Sequence, residues 1–268
     1  MSLVPKLSPH TEPTIHQFLR AHLAEAGADG LLVGLSGGID SALCARLARD
    51  AVGAARTHGL LLPDVSFDPA LRTEVEQYAH ALGISFHVFG IDGPESAFRS
   101  LFPDVTDRVS WGNVKARIRM SMDYLWAREH HLLVVGTGNK SELLMGYFTK
   151  WGDGGVDLEP IGDLYKTQVR ELAAQLDLPR PVREREPSAG LWEGQTDEEE
   201  LGLPYSELDQ ILFGLEQLRS PEEIARITNL PLERVRGVEA TVERTRHKRR
   251  PPPIPKLGLR TIGLDWRE

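Results

Sequence analysis

The chain has 268 residues, 41% hydrophobic and 26% charged, with 39 acidic against 31 basic residues and a net charge of −8. That size and balance suit one large α/β domain or a domain with a helical appendage, and the acidic surplus is a weak argument against a dedicated nucleic-acid binder. A single cysteine, Cys44, excludes an internal disulfide and a multi-cysteine zinc site. No apolar run approaches the roughly 20 residues of a membrane span. Residues 1–6 lack the basic-then-apolar order of a secretory signal, so a cytoplasmic protein is expected.

In chain order, Ile15, Phe18, Leu19 and Leu23 lie on one face of a predicted helix over 11–26, which leads into an apolar strand from Leu31 to Leu35. The strand runs directly into Ser36-Gly37-Gly38-Ile39-Asp40-Ser41. Two glycines let the backbone fold sharply there, and a helix starts at Asp40. Such a turn aims several N–H groups at one spot, and the helix dipole adds positive potential, so a phosphate or pyrophosphate is favoured. It is not a Walker A loop, because the Gly-Lys-Ser/Thr ending is missing. Leu43, Leu47 and Val52 then mark a helix over 40–53, and Gly59 to Pro63 a second strand. A helix over 68–82, a strand over 84–89, a long helix from about 113 to 128 and a strand over 132–135 follow. This alternation predicts an α/β fold with a parallel sheet covered on both faces, its ligand beyond the carboxyl ends of the strands. Past residue 160 the pattern turns helical (164–177, 206–217, 221–228, 231–247) and stops at Pro251-Pro252-Pro253. A single unit over 1–268 is expected, with a sheet core over about 28–165 and a helical part over about 166–250.

The fourth strand ends in Gly136-Thr137-Gly138-Asn139-Lys140-Ser141-Glu142. A Gly-x-Gly there is weak evidence alone, since a tight turn capping a helix reads the same. The stretch from Gly146 to Asp157 is less ordinary: Tyr147, Phe148 and Trp151 stand among glycines, aspartates and Lys150 in a segment unsuited to helix or strand. Asp163-Leu164-Tyr165-Lys166, Pro187-Ser188-Ala189-Gly190-Leu191 and His247-Lys248 complete the set.

The loop at 36–41 resembles the pyrophosphate loop of the N-type ATP pyrophosphatases. Together with Asn113-Val114-Lys115-Ala116-Arg117 and the motifs just given, in this order and spacing, the chain resembles the NAD synthetases over about residues 10–250. That resemblance implies a doubly wound, Rossmann-like sheet of the adenine nucleotide alpha hydrolase type. It implies amidation of deamido-NAD by ammonia, with ATP leaving as AMP and pyrophosphate through an acyl-adenylate. Asp40 and Glu142 resemble the family's magnesium ligands, and hard carboxylate oxygens suit that ion; singly, each reads equally as a helix-end charge. Gly34, Leu35, Ser36, Gly37, Gly38, Ile39, Asp40, Ser41, Thr137, Lys166 and Ser188 resemble ATP contacts, although many relatives have threonine at the position of Ser188. Arg117, Lys150, Asp157, His247 and Lys248 resemble deamido-NAD contacts. The catalytic expectation is Asp40, Glu142 and Lys166. Some 30 residues precede the first strand, too few for a glutaminase domain, so free ammonia, or ammonia from a separate protein, is the expected donor. A homodimer is implied, with neither nucleic acid nor membrane as partner. Residues 189–202, with three glycines and the run Asp197-Glu198-Glu199-Glu200, are expected to be a poorly ordered lid until substrates bind. Two other classes stay open at this point: a tRNA-modifying ATP pyrophosphatase, and a non-catalytic nucleotide-binding module.

Overall fold

A computed structural model describes residues 2–192, 194–262 and 265. Four strands, β1 (Gly30–Gly34), β2 (Thr57–Leu61), β3 (Ser85–Val88) and β4 (Leu132–Val135), form one parallel sheet in the order β3-β2-β1-β4. The helices between them are α1 (Thr11–Ala26), α2 (Ile39–Val52), α3 (Pro69–Leu82), α4 (Asp92–Leu101) and α5 (Arg108–Glu129). Strand alternation divides β1 between two cores. Leu31 and Val33 join α1, α2 and α3 in one cluster, whereas Leu32 joins Ile118 and Ala127 of α5 in another. The sheet is therefore doubly wound, as the alternating pattern predicts.

After β4 the chain is helical: α6 (Lys140–Met145), α7 (Lys166–Gln175), α8 (Arg180–Glu184), α9 (Asp197–Leu201), α10 (Tyr205–Glu216), α11 (Pro221–Thr228) and α12 (Leu232–Arg244). Leu208, Ile211, Leu212, Ile224 and Val235 build a third core there, closed by Leu3 and Tyr165. The link back to the sheet is a bridge between Val135 and Leu158.

Three differences from the sequence expectation have local causes. Helix α4 is not among the elements expected from the sequence; its Gly93 and Pro94, ordinarily helix breakers, occupy the first turn, where Pro is tolerated. Helix α5 starts at Arg108 rather than near 113, since the Asp107 side chain accepts from the Ser110 N–H (2.8 Å) and caps it. Strand β2 begins at Thr57, where pairing with Leu31 sets its register. Among the described residues, no helix is long and apolar enough to cross a membrane.

Leu31 is fully enclosed, whereas Leu125 on α5 is 73% exposed. Leu31→Ala is expected to cost about 2–5 kcal/mol in urea unfolding, and Leu125→Ala no more than about 0.5 kcal/mol. Equal midpoints for the two variants would contradict this placement of the core.

Candidate active site

The connection from β1 runs to one side of the sheet through β2 and β3, while β4 lies on the other side, so the sheet order reverses between β1 and β4. A crevice opens at such a reversal. The sequence delivers one carboxylate from each lip: Asp40 in the first turn of α2, Glu142 in the first turn of α6.

Both carboxylates close on one ammonium. Lys166 Nζ donates to Asp40 Oδ2 (2.6 Å) and to Glu142 Oε1 (3.0 Å), and the lysine is only 2% exposed. Asn139, fully buried, ties the same two acids together. Its Nδ2 donates to Asp40 Oδ1 (3.0 Å), its Oδ1 accepts from the Glu142 N–H (3.1 Å), and its own N–H donates to Glu142 Oε2 (3.2 Å). That reciprocal pair is a capping box, legible as Asn-x-x-Glu in the sequence. Burial pushes the Glu142 carboxyl above the usual range, against the pull of Lys166 and with the push of Asp40 and Asp197. Burial also opposes the charged form of Lys166, but Asp40 and Glu142 more than offset it and hold the ammonium above its ordinary pKa.

Lys166 opens α7, and a second network fixes that helix end. Ser141 Oγ accepts from the Lys166 N–H (3.0 Å) and donates to Asp209 Oδ1 (2.5 Å), while Asp209 Oδ2 accepts from the Thr167 N–H (2.8 Å). Asp209 is wholly buried on α10, so a second helix of the helical part fixes the backbone from which Lys166 reaches back to the acids of α2 and α6. Beneath the ammonium lies the Tyr205 ring, 5.2 Å away, whose hydroxyl donates to Asp197 Oδ2 (3.0 Å). Asp197 is 3% exposed, and its other oxygen is buried without a hydrogen-bond partner among the described residues.

The pyrophosphate-type loop has the shape expected of it. Gly37 sits at φ +85°, and a side chain there would meet Leu71 at 2.5 Å. Ser41 Oγ donates to the Gly38 carbonyl (3.0 Å) and accepts from the Ser36 N–H (3.2 Å). Arg185, unremarked in the sequence, donates to the Gly37 carbonyl (2.5 Å) and pairs with Glu74 of α3. Thr137 is half-buried just past β4 on the opposite lip. Ser188 is not gathered here: it is exposed, and its hydroxyl accepts from the Gly190 N–H (3.1 Å).

A second group gathers around residues 146–157. Arg117 donates to the Lys150 carbonyl (3.2 Å), Lys150 Nζ to the His247 carbonyl (3.1 Å), and Lys248 Nζ to the carbonyls of Gly146 (2.7 Å) and Phe148 (2.6 Å). Trp151, half exposed, is held at φ +61°, a strained conformation for a bulky residue that the surrounding turns impose. Asp157 stands apart from these cations, accepting from Tyr124 Oη (2.9 Å) and the Val134 N–H (2.8 Å). Arg249 caps α6 and α12 by donating to Leu143, Leu144 and Val242 carbonyls. In the sequence it reads as one charge of a basic helix end.

Residues 189–202 carry more structure than their polarity suggests. Leu191 lies over Gly112 of α5, Gln195 and Asp197 are buried, and Thr196 caps α9 by accepting from the Glu199 N–H. Glu193 lies outside the described residues.

The NAD synthase family model matches residues 13–252. The chain belongs to the NAD synthase family. The NH3-dependent NAD+ synthetase of Methanosarcina acetivorans is 47% identical over 246 residues, 91% of this chain and 96% of that one. Among solved structures, an NMN synthetase from Francisella tularensis superposes with a TM-score of 0.83 at 33% identity, over 94% of this chain and all of that one. The NH3-dependent NAD synthetase of Campylobacter jejuni gives 0.80 at 28% identity with the same coverage.

Asp209→Asn keeps one acceptor but turns an amide N–H₂ toward a donor. It is expected to destabilise the protein by about 1–3 kcal/mol and to loosen Lys166, read as a lower unfolding midpoint and faster amide exchange at 166 and 167. Wild-type exchange in the variant would show that α7 is held otherwise.

Proposed function

We infer that this enzyme amidates deamido-NAD with ammonia, using ATP, to give NAD, AMP and pyrophosphate. The observation that carries the reading is the paired carboxylate of Asp40 and Glu142 at the sheet reversal, beside an anion-binding loop and a buried lysine. A nicotinate carboxylate is a poor acylating group, so it first attacks the α-phosphorus of ATP and becomes an acyl-adenylate. Such a step needs alignment and charge neutralisation rather than a protein nucleophile. Backbone N–H groups of residues 36–40 and the N-terminus of α2 hold the departing pyrophosphate. Lys166 carries its ammonium to the phosphates, its backbone fixed by Ser141 and Asp209.

The centre also fits a metal. Asp40, Glu142 and the nearby Asp197 outnumber one ammonium, and hard oxygen donors of this kind suit magnesium. Held by Asp40 and Glu142, that ion would neutralise charge on the phosphates. Its entry requires Lys166 to give up the two carboxylate oxygens it now spans. Arg117, Lys150 and Lys248, with His247 among them, form the side that receives the dinucleotide, with Asp157 beyond them. Ser188, at the start of the 189–202 segment, reaches ATP as that segment closes and shields the acyl-adenylate from water. Phe98, Leu101, Phe102, Val105 and Val109 of α4, α5 and their link are all at least 41% exposed. A second copy of the chain, in a homodimer, covers that face.

Purified protein with ATP, magnesium, deamido-NAD and an ammonium salt is expected to form NAD and AMP in equal amounts. Glutamine in ammonia-free buffer should give none, and less ammonium salt should be needed as pH rises, because neutral ammonia is the nucleophile. The likeness to an NMN synthetase makes nicotinate mononucleotide the informative competitor. Preference for it over deamido-NAD would replace this substrate assignment, and absence of AMP with either acid would overturn the activity.

A further inference from the structure

The anion-binding loop is fastened by a side chain that no sequence motif singles out. Arg185 follows α8, and its guanidinium reaches two places at once. One nitrogen donates to the Gly37 carbonyl (2.5 Å) and another to Glu74 Oε2 on α3 (2.5 Å). A planar fork of this kind fixes direction as well as distance. Helix α3 also walls the loop from the same side, since a Cβ on Gly37 would stand 2.5 Å from Leu71 and 3.1 Å from Val75.

Such a fastening matters because of what the loop is made of. Two glycines in succession leave the peptide between them unusually free to turn over, and Gly37 already sits at φ +85°. That peptide carries a carbonyl on one edge and an N–H on the other. Turned over, it would present the carbonyl dipole where an anion needs the N–H. Both edges are pinned: the Gly37 carbonyl by Arg185, and the Gly38 N–H by Ser36 Oγ (3.2 Å). The cleft that Arg185 lines with Gly37, Glu74 and Tyr78 measures about 10 Å³, room for no more than about one water. A phosphate does not fit there, and two arms of the guanidinium are already engaged.

We propose that Arg185 is a positioning residue for ATP. Braced by Glu74, it holds the Gly37 carbonyl on the α3 side and so keeps the loop N–H groups turned to the pyrophosphate part of the nucleotide. This rests on the reading above only in taking residues 36–40 as the pyrophosphate loop, whichever acid is amidated. An arginine that touched the phosphates itself would act differently. It would stabilise charge that builds in the transition state, and Glu74 would compete with the phosphates for it. A positioning arginine instead needs Glu74, and its loss weakens the nucleotide complex and the transition state alike.

Titration calorimetry of the purified protein with magnesium pyrophosphate, magnesium ATP and AMP tests this. AMP lacks the β- and γ-phosphates and so controls for the rest of the site. In Arg185→Met, pyrophosphate and ATP are expected to bind about tenfold more weakly, with AMP within about twofold of wild type. The KM for ATP should rise by the same factor while kcat stays within about threefold. Glu74→Gln should weaken pyrophosphate binding in the same direction, by about threefold. Tighter or unchanged binding in Glu74→Gln would overturn the proposal. So would a fall in kcat at unchanged KM, or equal losses for ATP and AMP, in Arg185→Met. Should the methionine variant fail to fold, Arg185→Gln, too short to reach both partners, is read by the same criteria. Pyrophosphate binding that depends on Arg185 in a protein that amidates neither nicotinate substrate would sink the substrate reading and leave Arg185 in place. Wild-type protein that binds neither pyrophosphate nor ATP would overturn both.

Discussion

An ammonium buried between two carboxylates organises this molecule. Lys166 has almost no contact with water, and removing a charge from water costs several kcal/mol unless its partners are close and well aligned. Asp40 and Glu142 meet that condition only because β1 and β4 are neighbours, α2 and α6 start at the same edge, and α7 brings the lysine back across them. Strand order, helix starts and the docking of the helical part all converge on a space of about 3 Å. Loss of either acid alone would leave a buried charge poorly compensated, an effect of about 3–5 kcal/mol in comparable pairs.

The supporting groups divide the labour. Asn139 fixes the two acids to each other, Ser141 and Asp209 fix the lysine backbone, and Tyr205 floors the site. Asp197 reaches the same centre from the segment expected to close over it. Its other oxygen, buried without a hydrogen-bond partner among the described residues, leaves a polar group unsatisfied and raises the cost of this arrangement. The segment is thus held by Leu191, Gln195 and Tyr205 while being electrostatically loaded against the acids beneath it.

Much of the fold was legible because it rests on short-range rules. Strand and helix periods located β1, β3, β4 and most helices, and the sharp Gly37-Gly38 turn at the start of α2 was legible from its glycines alone. The site residues came from motif resemblance, and the structure brings Asp40, Glu142 and Lys166 together while leaving Ser188 on its own turn. What sequence could not supply was long-range pairing. Asp209 reads as an ordinary helical aspartate, Arg249 as one charge in a basic run, and Arg185 as a surface cation, until α6, α7 and the 36–41 loop are placed against them.

In the metal arrangement proposed above, one ammonium spans the oxygens that would hold the ion, so Lys166 and a divalent ion would compete for Asp40 and Glu142. Metal should therefore bind weakly until ATP draws the lysine away. Manganese binding followed by electron paramagnetic resonance, without nucleotide, in wild type and in Lys166→Met tests this most directly. The account predicts that the variant binds manganese at least about tenfold more tightly, a difference of about 1.4 kcal/mol. Equal or weaker binding by the variant would show that the lysine does not occupy the metal's place.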